Sequence, residues 1–179
     1  NTLNILKQLI SIPSWVDNKT NEKEIGEWIY RFLKINTIFK VFKQPVGGGR
    51  FNVIAQKGQQ VDILVTGHID TVKPNSDWTL DPITPKVDSD KVFGRGSSDM
   101  KCGVAIMLYL ATLSDLKDKI MFLFYCDEEY DFLGMKKFIQ GYKNKIEPKL
   151  IISLDGEGLQ IGNSCRGLIE MKVIVKGKA

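Results

Sequence analysis

The residues best able to do chemistry stand at the ends of apolar runs. His68, the only histidine in the sequence, closes the run 63–66 and precedes Asp70 by two positions. In an extended backbone, residues two apart share a face, so the Asp70 carboxylate can reach the imidazole, fix its tautomer and raise its basicity. The apolar run 120–125 leads almost directly into Asp127-Glu128-Glu129, and the run 150–154 ends in Asp155. Asp99 stands where a long irregular stretch gives way to a helical pattern. Each feature has an ordinary meaning on its own, since a lone histidine is commonly satisfied by a neighbouring carboxylate and Asp-Glu-Glu is commonly a solvated turn. Their combination does not. Several carboxylates and one imidazole in one crevice repel strongly unless cations neutralise them, which predicts a metal site. Oxygen and nitrogen donors without thiolates suit zinc, cobalt or manganese, and a carboxylate bridging two ions about 3.5–4 Å apart marks a two-metal hydrolase. Asp99 is the bridging candidate. Glu128 and Glu129 diverge as neighbours in an extended turn, so one is expected to bind an ion and the other to act as general base for attack on a carbonyl.

Positioning these groups requires strands that end at one edge. Leu3, Leu6, Leu9 and Ile10 predict an opening helix behind a Thr2 cap, stopped by Pro13. Asn21 and Glu24 resemble a capping box before a second helix, whose apolar face holds Ile25, Trp28, Ile29 and Phe32 to about residue 36. Residues 37–42 alternate as a strand and 51–55 resume as one, so the intervening Gly47-Gly48-Gly49 is expected to be a hairpin turn. A phosphate cradle would need a following helix and a Lys-Ser/Thr pair, and both are missing. Apart from Asp62, residues 61–66 are apolar on both faces, as in a buried parallel strand. The irregular stretch 73–98 is long enough to be functional rather than a plain connection. A helix over 104–113, a strand over 120–125, a helix over 132–142 with Leu133, Phe138 and Ile139 inward, and a strand over 150–154 complete the pattern. Strands alternating with helices predict an α/β fold with a mainly parallel sheet flanked by helices, and such sheets carry their sites at the carboxyl ends of the strands.

Composition narrows the partners. The 179 residues, 43% hydrophobic and 26% charged, suffice for one ordinary core. The net charge of +4 is spread over interspersed residues with no basic block, which argues against nucleic acid. Gly94-x-Gly96-x-x-Asp99 imitates a dinucleotide fingerprint, yet an anion stands where a pyrophosphate would sit. Lys101 and Arg166 are expected to be solvated surface charges rather than anion contacts. Cys102, Cys126 and Cys165 are odd in number and lack a C-x-x-C pair, against a disulfide framework or thiolate zinc site and in favour of a reducing cytoplasm. No run is long enough for a membrane span, and no signal-peptide pattern opens the sequence.

The motifs together resemble a known family. Gly67-His68-Ile69-Asp70-Thr71-Val72, residues 78–82, Gly94-Arg95-Gly96-Ser97-Ser98-Asp99-Met100-Lys101, Asp127-Glu128-Glu129 with Gly134, and the strand ending at Asp155 follow the order seen in co-catalytic metallohydrolases. These include acetylornithine deacetylase, succinyl-diaminopimelate desuccinylase, acetyl-lysine deacetylase, aminoacylase and glutamate carboxypeptidase. The resemblance implies a catalytic domain of the di-zinc aminopeptidase-like kind and two divalent ions, zinc or else cobalt or manganese. It implies His68 and Asp155 on one ion, Asp99 bridging, Glu129 on the other, Glu128 as base and Asp70 orienting His68. Where many members have Glu-Pro-Thr this sequence has Asp155-Gly156-Glu157-Gly158, so Glu157 is the alternative ligand, and Cys102 replaces a common glycine. The implied substrate is a small N-acylated amino acid or peptide. On this resemblance, residues 1–165 form the first part of the catalytic domain and 166–179 a strand towards a lid and dimerisation domain. A second histidine ligand and a homodimer contact would come from beyond residue 179. The chain alone is therefore expected to hold at most one ion tightly and not to turn over. The alternatives are a metal-binding fragment without catalysis and a phosphate-binding flavodoxin-like module without metal.

Overall fold

The computed structural model describes residues 1–116, 118–156, 158, 160–164, 167, 171 and 173–177. Its centre is a five-stranded sheet built from β1 (Lys40–Gly47), β2 (Arg50–Lys57), β3 (Ile63–His68), β6 (Ile120–Tyr125) and β7 (Leu150–Ser153), in the order β1-β2-β6-β3-β7. The missing numbers belong to a separate two-stranded hairpin, β4 (Lys86–Asp88) and β5 (Lys91–Phe93), inside the stretch expected to be irregular. β3 pairs parallel with both β6 and β7, β6 pairs antiparallel with β2, and β2 antiparallel with β1. Four of the five strands therefore share one direction and only β2 is reversed, so the sheet is mixed and mainly parallel.

Helices cover both faces, as the uninterrupted apolar character of β6 requires. All six residues of β6 are buried. Phe122 and Phe124 point to one side, against α1 (Thr2–Ile10), α2 (Lys23–Asn36) and α3 (Lys101–Ala111). Met121, Leu123 and Tyr125 point to the other, where Phe138 of α4 (Leu133–Tyr142) meets them. Within α4 the inner positions are Gly134 and Phe138, whereas Ile139 is 51% exposed and so lies on the outer face, contrary to the sequence pattern. The helix caps also differ from expectation. Asn1 rather than Thr2 caps α1, its side-chain oxygen accepting from Leu3 N at 2.8 Å, and Glu22 rather than Asn21 is the residue before α2. Asn21 still contributes, accepting from Lys23 N at 2.9 Å.

The glycine run does form a hairpin turn between β1 and β2, and β1 tolerates Pro45 because it is an edge strand with a bulge there. Residues 173–177 lie outside the regular elements. Among the described residues no helix is long and apolar enough to cross a membrane.

Candidate metal centre

The parallel strands and α3 deliver the acidic residues to one edge. His68 is the last residue of β3, Asp127, Glu128 and Glu129 follow β6, Asp155 follows β7, and Asp99 precedes α3. Close packing makes this convergence workable at Gly103, where a Cβ would stand 2.5 Å from the Leu154 carbonyl oxygen, so α3 can lie against the end of β7. Asp99 is thereby brought to the strand that ends in Asp155.

His68 is the shared centre. Its side chain is 1% exposed, and its Nδ1–H donates to the main-chain carbonyl of Asp70 at 3.1 Å. That bond keeps a proton on Nδ1 and aims Nε2 at the carboxylates. Nε2 lies 2.9 Å from Asp99 Oδ1 and 3.8 Å from Asp155 Oδ2. One donor atom each from His68, Asp99 and Asp155 lies within 4.8 Å of the others, and the same holds for His68, Glu128 and Glu129. Two donor groups thus share one imidazole. Only oxygen and nitrogen atoms are offered, at mutual spacings a divalent ion can span, so the residues present fit such an ion. Without a cation the cluster is electrostatically strained. Burial first, then the neighbouring acids, hold the Glu128, Glu129 and Asp155 carboxyls above their usual range. Asp70 first, then Asp99 and Glu128, overcome the effect of burial on His68 and push its imidazole up to about 9.

Asp70 serves the site in a way the sequence did not suggest. Its carboxylate is fully buried and approaches His68 Nδ1 only at 3.5 Å, longer than the bond from the main-chain carbonyl. Its two oxygens also accept from the main-chain N–H groups of Glu128 (3.1 Å) and Glu129 (2.9 Å). Asp127 holds the other side of that turn. Its Oδ2 accepts from Asp131 N at 3.3 Å and Leu133 N at 3.2 Å, and its Oδ1 accepts from Arg50 Nη1 at 2.7 Å. Gly134 completes the turn because a Cβ there would lie 2.3 Å from the Cys126 carbonyl oxygen.

Lys101 corrects the expectation of a surface charge. It is 1% exposed, and Nζ donates to the carbonyls of Leu9 (2.9 Å) and Ile12 (2.8 Å), tying α1 and the residues after it to the start of α3. Burial lowers its pKa to about 7. Cys102 donates to the Ser98 carbonyl at 3.1 Å and burial pushes its thiol up, so it is a poor thiolate donor. The Glu157 alternative and Arg166 lie outside the described residues. A cavity of about 840 Å³ between α1 and α2 is lined by none of the six candidate residues, which stand at the open strand edge instead.

The signature of peptidase family M20/M25/M40 matches residues 64–167. The chain belongs to this family. It is 36% identical over 191 aligned positions to a protein named probable carboxypeptidase from Aspergillus clavatus, covering 99% of this chain and 44% of that protein. It is 32% identical to an acetylornithine deacetylase from Erwinia tasmaniensis, covering 100% of this chain and 49% of the other. The chain therefore spans about half the length of these relatives. Among solved structures, an M20 family metallo-carboxypeptidase from Sulfolobus solfataricus superimposes with a TM-score of 0.76 at 21% identity, over 89% of this chain and 38% of that one. That likeness supports the M20 fold.

Proposed function

We propose that the protein containing this M20 chain hydrolyses an amide bond in a small N-acylated amino acid or peptide, with two divalent ions, zinc or else cobalt or manganese, as cofactors. The observation that carries this is the single imidazole of His68 shared by two groups of carboxylates at one sheet edge. His68 and Asp155 would hold one ion, Glu129 the other, and Asp99 would serve both. When bound, the ions supply Lewis acidity to the scissile carbonyl and acidify a nearby water. Glu128 is the general base. Its carboxylate takes a proton from the attacking water and returns it to the amide nitrogen as the C–N bond breaks. Asp70 orients His68 and holds the main-chain amides of both glutamates. The unpaired thiols of Cys102 and Cys126 support a cytoplasmic setting.

The deciding experiment separates ligand from base. Glu128→Gln should keep the metal content of the protein while turnover of N-acetyl amino acids or dipeptides falls about 10²- to 10⁴-fold. Glu129→Gln should lose metal. Loss of metal from the first variant and retention in the second would reverse the two roles, and hydrolysis undiminished in Glu128→Gln would overturn the mechanism.

A further inference from the structure

Beneath the acidic turn lies a buried ionic chain that the chemistry above does not use. Arg50 Nη1 stands 2.7 Å from Asp127 Oδ1 and 3.3 Å from Glu22 Oε1, with the three side chains 13%, 3% and 0% exposed. Arg50 is the first residue of β2, and β2 is one of the two strands that flank β6. The other neighbour, β3, leads into Asp70. The turn after β6 is therefore gripped from both sides, by Asp70 at the amides of Glu128 and Glu129 and by Arg50 at the side chain of Asp127.

The backbone makes the second grip consequential. Asp127 has φ +71°, a left-handed conformation that a non-glycine residue adopts only when its surroundings hold it there. Its carboxylate is divided between Arg50 on one oxygen and the amides of Asp131 and Leu133 on the other, so any rotation that frees Arg50 also frees the turn. Glu128 and Glu129 leave the chain directly after this residue. Their direction depends on how it is held.

We infer that Arg50, backed by Glu22, is a positioning residue for the Glu128–Glu129 pair, a role that rests on the amide-hydrolase reading above. A purely structural staple between α2 and the sheet would give the same contacts but a different response. In the metal-free, ¹⁵N-labelled full chain, Arg50→Met should speed amide hydrogen exchange at Glu128 and Glu129 about 10-fold while Leu123 in β6 is unchanged. Co²⁺ affinity should fall by about the same factor. Arg50→Lys should recover part of both effects, because an ammonium can reach Asp127 without spanning to Glu22. Glu22→Gln should produce a smaller change in the same direction, and these two variants carry the comparison if Arg50→Met does not fold. Unchanged exchange at Glu128 and Glu129 would overturn the inference, as would equal acceleration at Leu123. The exchange measurement needs no metal, so a wild-type chain that binds no Co²⁺ would count against the metal reading alone and leave the positioning role to be decided by exchange.

Discussion

The two carboxylate groups that meet at His68 are held in opposite ways. On one side, Glu128 and Glu129 have their main-chain amides fixed by Asp70, and the preceding Asp127 is fixed by Arg50. On the other, Asp99 and Asp155 have side chains 65% and 39% exposed and reach His68 from solvent. The difference teaches where preorganisation resides. One half is built into the turn after β6, and the other is free to adjust to an arriving ion. A site with one rigid and one adaptable half can accept a cation without first disturbing its buried part.

The sharpest way to break the contrast is at Asp70. Asp70→Asn keeps the shape but presents an NH₂ where an acceptor is needed, so one of two half-buried amides loses its partner. The expected result is about 1–3 kcal/mol of lost stability by urea unfolding, together with about 10- to 100-fold weaker metal binding by titration. If neither changes, the turn is not held from Asp70.

A second test uses pH. Burial, helped by Asp70 and Asp127, pushes the Glu22 carboxyl up to about 7 from 4.5, so the folded chain holds this proton more tightly than the unfolded chain does. Stability from that difference is full below about 4.5 and is lost as pH rises through about 7. Glu22→Gln has no such proton. Comparing urea midpoints at pH 5 and pH 8 should therefore show the variant gaining on the wild type by about 1–3 kcal/mol across the interval. Parallel pH profiles would remove Glu22 as the titrating group.

The smallest effect is expected on the adaptable side. The Asp155 carboxyl is held above its usual range by partial burial and then by Asp99, so its charge is a mild burden in the metal-free chain. Asp155→Asn should leave metal-free stability within about 0.5 kcal/mol of wild type, shifted towards greater stability, while weakening metal binding. A large loss of stability on thermal melting would show that Asp155 is structural.

Much of this arrangement was legible because it depends on local pattern. The run 120–125 is apolar at every position, and β6 occupies those residues. Strand-end logic also brought His68, Asp99, Glu128, Glu129 and Asp155 to one edge. What escaped depends on distant partners. Arg50 meets Asp127 across 77 positions, and nothing in an arginine beside a glycine turn names its partner. Lys101 looked solvated because its acceptors are main-chain carbonyls, which every residue carries and no sequence pattern marks. Asp127 was hidden within an acidic triplet whose three members have the same charge but different jobs. The 86–93 hairpin escaped because its two strands are three residues each, too short for alternation to register.

The buried Lys101 also has a bearing on the order in which the chain can assemble. Its ammonium binds the Leu9 and Ile12 carbonyls across 92 and 89 positions, so α1 leaves the ribosome long before the lysine that locks it. During synthesis, α1 has its apolar face but no anchor, and contacts of such sequence separation are slow to close. Helix α1 is thus made about 90 residues ahead of the lysine that anchors it, and this anchor closes only after the loop carrying Asp99 has been synthesised.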